Sequence, residues 1–267
     1  MGEPAVSGRI VRVAPDAPAL MRLAAAEIVR RSEASLAERG CFAIALSGGS
    51  TPEGLHALLA DPDEPFRSRM RWGSTHVFFG DERHVPPDHP DSNYGMARAT
   101  LLGKVPIPPE NVHRIRAELD APVAALEYEA ELRRVLGPGP GEGRGGSSAG
   151  GAPRLDLALL GLGGDGHTAS LFPGSEALAE TARLVTAPWV EHLQSYRITL
   201  TFPALGAARA IAFLVSGAGK ASRVADVLEG PGASLPAGRV RPVDGDLLWL
   251  LDAPAAALLR GPVERWM

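Results

Sequence analysis

Only two lysines, Lys104 and Lys220, occur among the 27 basic residues of this 267-residue chain. Cysteine is scarcer still. Cys41 stands alone, so no disulfide can form within the chain, and a reducing, cytoplasmic location is expected. Aromatic residues make up 5% and the formal net charge is −4, which leaves neither the basic footprint nor the stacking surface of a nucleic-acid binder. No apolar run approaches the ~20 residues of a membrane span. The opening MGEPAVSGRIVRV lacks the basic-then-apolar order of a secretory signal. Neither nucleic acid nor a membrane is therefore expected as a partner. The excess of arginine over lysine reads as a base-composition bias. Against it, a lysine beside a glycine turn needs a specific reason; Lys220 sits in such a turn and Lys104 does not.

What is present describes an ordinary globular chain, 45% hydrophobic and long enough for one large α/β domain or two small ones. From Asp16 to Arg39 the apolar residues keep helical spacing behind a plausible N-cap at Asp16. Short apolar strands are expected at Phe42–Leu46, Thr75–Phe79, Leu155–Leu160, Ala210–Val215 and Leu247–Leu251, with an alternating one at Arg197–Phe202. Helical patterns fall between them at Asn93–Leu102, Val123–Leu136 and Ala221–Leu228. Strands that are apolar on both faces and alternate with helices predict a mainly parallel central sheet covered on both faces, of Rossmann-like type. The glycine-rich segment 137–153 reads as a flexible loop within a single domain spanning 1–267.

In such sheets ligands bind beyond the carboxyl ends of the strands. The turns at 47–51, 80–83, 161–167 and 217–220 are thus expected to share one rim. The third is the most informative: the strand ends in Gly161-Leu162-Gly163-Gly164-Asp165-Gly166-His167. Glycines admit a ligand close to the main chain, and a histidine there titrates near neutrality, as a general base must. Formally the stretch also matches the dinucleotide pattern. However, no strand ending in an acid lies about 20 residues downstream, and Pro173 interrupts the helix that should follow. Around Gly219-Lys220, Leu214 and Ala221 break the Walker pattern. Ser47-Gly48-Gly49-Ser50-Thr51 reads as a phosphate cradle at a helix N-terminus, with a serine-nucleophile elbow at Ser47 as the competing reading. The group Asp81, His84, Asp88, His89 and Asp91 is interrupted by Pro86, Pro87 and Pro90, giving no fixed ligand spacing, and no metal is expected. Arg83 and Arg197 read equally as surface residues or as rim groups, and for Arg197 one residue of register decides.

Taken in order, SGGSTP, FFGDERHVPPDHPDSNYGMARATLL, LLGLGGDGHTASLFPGS, YRITLTFPAL and FLVSGAGKA resemble the 6-phosphogluconolactonase family, related to the glucosamine-6-phosphate deaminases, over roughly residues 10 to 260. The resemblance implies a deaminase-like α/β fold and hydrolysis of a phosphorylated sugar lactone without an organic cofactor, by a monomer or small homo-oligomer. The deaminase branch carries a Glu five residues after the motif His, where this chain has Phe172. On this footing His167 is expected as general base, Asp165 as its orienting partner, Arg83 on the lactone carbonyl and Asp81 on sugar hydroxyls. Ser47, Gly48, Gly49, Ser50, Thr51, Arg197 and Lys220 are expected on the phosphate. The alternatives are an isomerase or deaminase of the glucosamine-6-phosphate type, and a non-catalytic sugar-phosphate-binding module.

Overall fold

The computed structural model describes residues 9–137 and 153–266; of the glycine-rich segment 137–153 only the two end residues fall within them. The first half runs β1 (Ile10–Ala14), α1 (Ala17–Arg39), β2 (Phe42–Leu46), α2 (Ser50–Ala60), α3 (Pro65–Arg69), β3 (Thr75–Phe79), β4 (Asp81–Arg83), α4 (Asn93–Ala97) and α5 (Ala121–Leu136). The second half runs β5 (Leu157–Leu160), β6 (Val185–Thr186), β7 (Trp189–Val190), β8 (Ser195–Leu200), α6 (Phe202–Ala207), β9 (Ala210–Val215), α7 (Ala221–Glu229), α8 (Pro236–Arg239), β10 (Asp246–Asp252) and β11 (Glu264–Arg265). Among the described residues no helix is long and apolar enough to cross a membrane.

Local chemistry sets the ends of α1. The extended Asp16 accepts the Ala19 amide at 2.8 Å, and Gly40, at φ +77°, closes the far end by donating to the Leu36 carbonyl. Seven strands form one parallel sheet in the order β11-β1-β10-β9-β5-β2-β3. β2, β5 and β9 are buried at every residue, as strands covered on both faces must be. β2 and β5 are neighbours, and from them the chain builds outward in opposite directions, towards β3 on one side and β9 on the other. That is a topological switch point, where a crevice opens in sheets of this kind. The register also brings the strand ends together: Leu46 pairs with Phe79, and Leu160 with Phe213.

A second, antiparallel sheet in the order β4-β8-β6, with β7 also on β8, adjoins the first. Gly80 joins them, its amide bonded to Leu46 in the large sheet and its carbonyl to Leu200 in the small one. The expected strand at Arg197–Phe202 is thereby corrected: the observed strand is Ser195–Leu200, and it belongs to the small sheet. Alternation fits a strand with one polar face, and Phe202 already begins α6 behind the Thr201 cap. The helix expected over Asn93–Leu102 is α-helical only to Ala97. It continues as a π turn over Arg98–Leu102, closed by the Gly103 amide on the Arg98 carbonyl.

His56 of α2 faces that π turn, fully buried, with Nδ1 3.4 Å from Thr100 Oγ1 and Nε2 unpartnered. Burial pushes its pKa down to about 4. The depressed value means that the unfolded chain binds the proton first, so stability is complete above the ordinary histidine pKa near 6.5 and is lost as pH falls from there towards 4. Between pH 7 and pH 5 the loss from this residue is about 2 kcal/mol. Urea unfolding of wild type and His56→Leu at both pH values checks this. The difference between the two pH values should shrink by about that amount in the variant, and an unchanged difference would refute the assignment.

Candidate active site

Beyond the carboxyl ends of β2, β3, β5 and β9 lies a cavity of about 520 Å³. Its lining includes Ser47, Gly48 and Gly49 after β2, Asp81 and Arg83 of β4, Asp165 and His167 after β5, Arg197 of β8 and Lys220 after β9. The four turns expected on one rim do meet there. Ser50 and Thr51 do not line it: they open α2, because Gly49 at φ +104° turns the chain away from the cradle into the helix. Asn93, Ser170 and His192 line the cavity although no chemical pattern singled them out, and Phe172, marked only as standing where the deaminase branch has Glu, lines it too.

In the turn after β5, Asp165 Oδ1 accepts both the His167 amide, at 3.1 Å, and His167 Nδ1, at 2.6 Å. Burial raises the Asp165 carboxyl, but the amide and the imidazole outweigh it and hold the group below the usual carboxylate range. An ionised carboxylate only accepts, so Nδ1 is the donor to it, and in the neutral imidazole this leaves the lone pair on Nε2. Among the described residues nothing is hydrogen-bonded to Nε2. A serine-nucleophile elbow would place Ser47 Oγ there; instead that hydroxyl is buried and has no partner.

In the small sheet, β4 and β8 pair so that Arg83 stands directly across from Arg197, and Asp81 from Thr199. This register settles the orientation of Arg197, whose side chain shares the cavity face with Arg83. Burial, and then the neighbouring Arg83 charge, lower the Arg197 guanidinium below its ordinary value. Arg83 donates to the Asp91 carbonyl, Arg197 to the Tyr196 carbonyl at 3.0 Å and Lys220 Nζ to the Leu162 carbonyl at 2.8 Å. None of the three is in an ion pair with a carboxylate among the described residues. Three such cations on one cavity favour an anion there.

Asp81 is buried, accepting Ser170 Oγ at 2.6 Å and, more weakly, Asn93 Nδ2 at 3.3 Å. Glu82, on the other face of β4, takes the amides of Arg83, Asn93 and Tyr94 and the Ser92 hydroxyl. Burial nevertheless leaves its carboxyl above the usual range. Through these bonds Glu82 ties the start of α4 to β4 and so sets Asn93 against the cradle. Among the described residues no group of three or more His, Cys, Asp or Glu side chains is gathered to hold a metal. Of the proline-rich loop, His84 Nε2 meets the Leu119 carbonyl and His89 Nδ1 the Asp91 amide.

Fold and site together define a doubly wound α/β protein with a pocket for a small anion beside a carboxylate–imidazole pair. The family of glucosamine-6-phosphate isomerases and 6-phosphogluconolactonase matches residues 15–249. A 6-phosphogluconolactonase of Nostoc sp. is 41% identical over 254 residues, covering 94% of this chain and 98% of the relative. The solved structure of 6-phosphogluconolactonase from Trypanosoma cruzi is 31% identical, with a TM-score of 0.80 over 97% of this chain and 100% of that one. A monomeric glucosamine-6-phosphate deaminase shares the fold, with a TM-score of 0.75 at 19% identity over 94% of this chain and 100% of that one. The chain belongs to the glucosamine-6-phosphate isomerase/6-phosphogluconolactonase family.

The cradle has no room for a side chain at Gly48, where a Cβ would sit 1.8 Å from Asn93 Oδ1. Asn93 is held by the Asp81 carbonyl at 2.9 Å and cannot swing aside without losing that bond. Gly48→Ala should therefore cost about 1–3 kcal/mol of stability by overpacking and raise KM for the bound anion. Thermal melts and steady-state kinetics check both, and a variant with native Tm and KM would refute the contact.

Proposed function

We propose that the chain hydrolyses 6-phospho-D-glucono-1,5-lactone to 6-phospho-D-gluconate, the second step of the oxidative pentose phosphate pathway. We further propose that 1–267 forms one domain carrying this activity in the cytoplasm, as a monomer or small homo-oligomer. A single apolar core drawing on residues from Val11 to Ala255 supports the one-domain reading. The observation that carries the function is the Asp165–His167 pair in the same cavity as three cations that have no carboxylate partner among the described residues.

His167 Nε2 takes a proton from water as the water oxygen attacks the lactone carbonyl. Arg83 stabilises the negative charge that develops on the carbonyl oxygen. The bond from the carbonyl carbon to the ring oxygen then breaks, the ring oxygen takes the proton back from the imidazolium, and the new acid ionises. Asp165 holds the imidazole in the tautomer this requires. Asp81 receives sugar hydroxyls, while the Ser47–Gly49 cradle, Arg197 and Lys220 hold the phosphate. The unpartnered Ser47 hydroxyl favours this ligand role over a nucleophilic one.

Two other readings fare less well. At the position of the deaminase Glu, Phe172 offers no group that exchanges a proton. A binding module has no use for a carboxylate-held base. Lactone generated in place by glucose-6-phosphate dehydrogenase, with its disappearance followed against the spontaneous rate, tests the proposal, and no acceleration would overturn it.

His167→Ala and His167→Asn should lower kcat by ~10²–10⁴-fold with the fold intact, the usual worth of general-base help. A variant keeping more than about a tenth of wild-type kcat would remove His167 from that role. Lys220→Met should weaken the phosphorylated substrate by roughly 1.5–3 kcal/mol while leaving turnover of unphosphorylated gluconolactone nearly unchanged. The ratio of kcat/KM for the two lactones reports this, and an unchanged ratio would place the phosphate elsewhere.

A further inference from the structure

The imidazole of His167 has two close neighbours. A Cβ built on Gly163 would sit 2.2 Å from Nδ1 and 2.3 Å from Cε1, so the bare Gly163 backbone lies directly against the ring. The Phe172 ring packs against the imidazole at 4.3 Å between centroids, tilted by 40°. Its position follows from a tight reversal: Thr168 and Leu171 form an antiparallel bridge, with Ala169 held at φ +46° between them. A non-glycine residue in the left-handed region is a conformational cost accepted by the surrounding structure, and such costs gather at functional sites. Phe172 is 8% exposed, yet it stands outside the main apolar core and meets the edge of His192 at 5.3 Å. The burial of this aromatic residue is thus spent on the site rather than on the sheet.

We propose that Phe172 is a positioning residue which, with the bare backbone of Gly163, clamps the His167 ring so that Nδ1 stays on Asp165 and Nε2 faces the cavity. This deepens the lactonase reading and rests on it. The Cβ–Cγ bond and the Asp165 hydrogen bond each hold the ring at one end, leaving the imidazole to rock between them. Contact with the Phe172 ring and with the Gly163 backbone restricts that rocking. Small misplacements of a catalytic group cost turnover more than substrate affinity, since the group engages fully only in the transition state.

Phe172→Ala should lower kcat by about 10–100-fold, with KM within about threefold of wild type. Phe172→Tyr, which keeps the flat ring, should restore kcat to within about threefold of wild type. Because Phe172 lies outside the main core, the Ala variant is expected to keep its cooperative melt; if it does not fold, Phe172→Leu, which keeps bulk without a flat face, carries the same test. A second readout does not depend on turnover: the ring ¹⁵N shifts of His167 should report one tautomer, protonated at Nδ1, in wild type and Phe172→Tyr, and averaging between tautomers in Phe172→Ala. Near wild-type kcat together with an unchanged single tautomer in Phe172→Ala would overturn the clamp. So would a Tyr variant as impaired as the Ala variant. Should wild type fail to accelerate lactone hydrolysis, the functional reading falls, while the tautomer measurement still decides the clamp.

Discussion

A strand buried on both faces has every backbone donor and acceptor committed to its neighbours and every side chain committed to apolar packing. Polar chemistry can begin only where the ladder stops. In this protein β2, β3, β5 and β9 stop close together, and the switch in build direction between β2 and β5 leaves a crevice at that level. Ser47–Gly49, Asp81, His167 and Lys220 each follow one strand end by a few residues. Their mutual distances are therefore inherited from the register of a rigid sheet, not from the loops that carry them.

Within the crevice three cations meet two carboxylates. The turn after β5 presents a carboxylate already engaged by an imidazole, Asp81 of the small sheet is engaged by Ser170, and the small sheet and the turn after β9 present cations whose hydrogen bonds, among the described residues, go to main-chain carbonyls. A cation left in this state is stabilised by any anion that enters, and a half-buried one such as Arg197 more so, because burial has already removed part of its water. Such cations suit a substrate that carries negative charge.

Much of this was legible in the residues, and the limits have a physical pattern. Phe42–Leu46, Thr75–Phe79 and Ala210–Val215 are observed end to end as expected, because each is an apolar run cut off by a polar or glycine-rich turn. Leu155–Leu160 was read two residues long; its ladder begins at Leu157, with Asp156 holding the Ala43 amide through its side chain. What local pattern could not supply was pairing between distant segments. The Arg83–Arg197 juxtaposition depends on a register between residues more than a hundred positions apart. Asn93 against Gly48 depends on a carboxylate, Glu82, that sequence alone leaves looking like an ordinary surface acid. Ser50 and Thr51 shared a motif with the cradle yet were carried out of the lining by one positive φ at Gly49. The strand Ile10–Ala14 is too short, with Arg12 interrupting its apolar residues, to stand out by pattern.

Glu82 has a consequence for what the chain can tolerate. By gathering donors from both ends of the segment that leaves β4 and returns at α4, it closes that excursion like a drawstring beneath the surface. The acceptor Arg83 uses within the segment is the main-chain oxygen of Asp91, which any amino acid would provide. Between the two ends the segment is held again at His84, whose Nε2 meets the Leu119 carbonyl and whose ring meets Tyr196, and its Asp91 charge reaches Arg197. In engineering terms the exposed Asp88, whose side chain is in no hydrogen bond or ion pair among the described residues, is the place on the proline-rich excursion for grafting a tether.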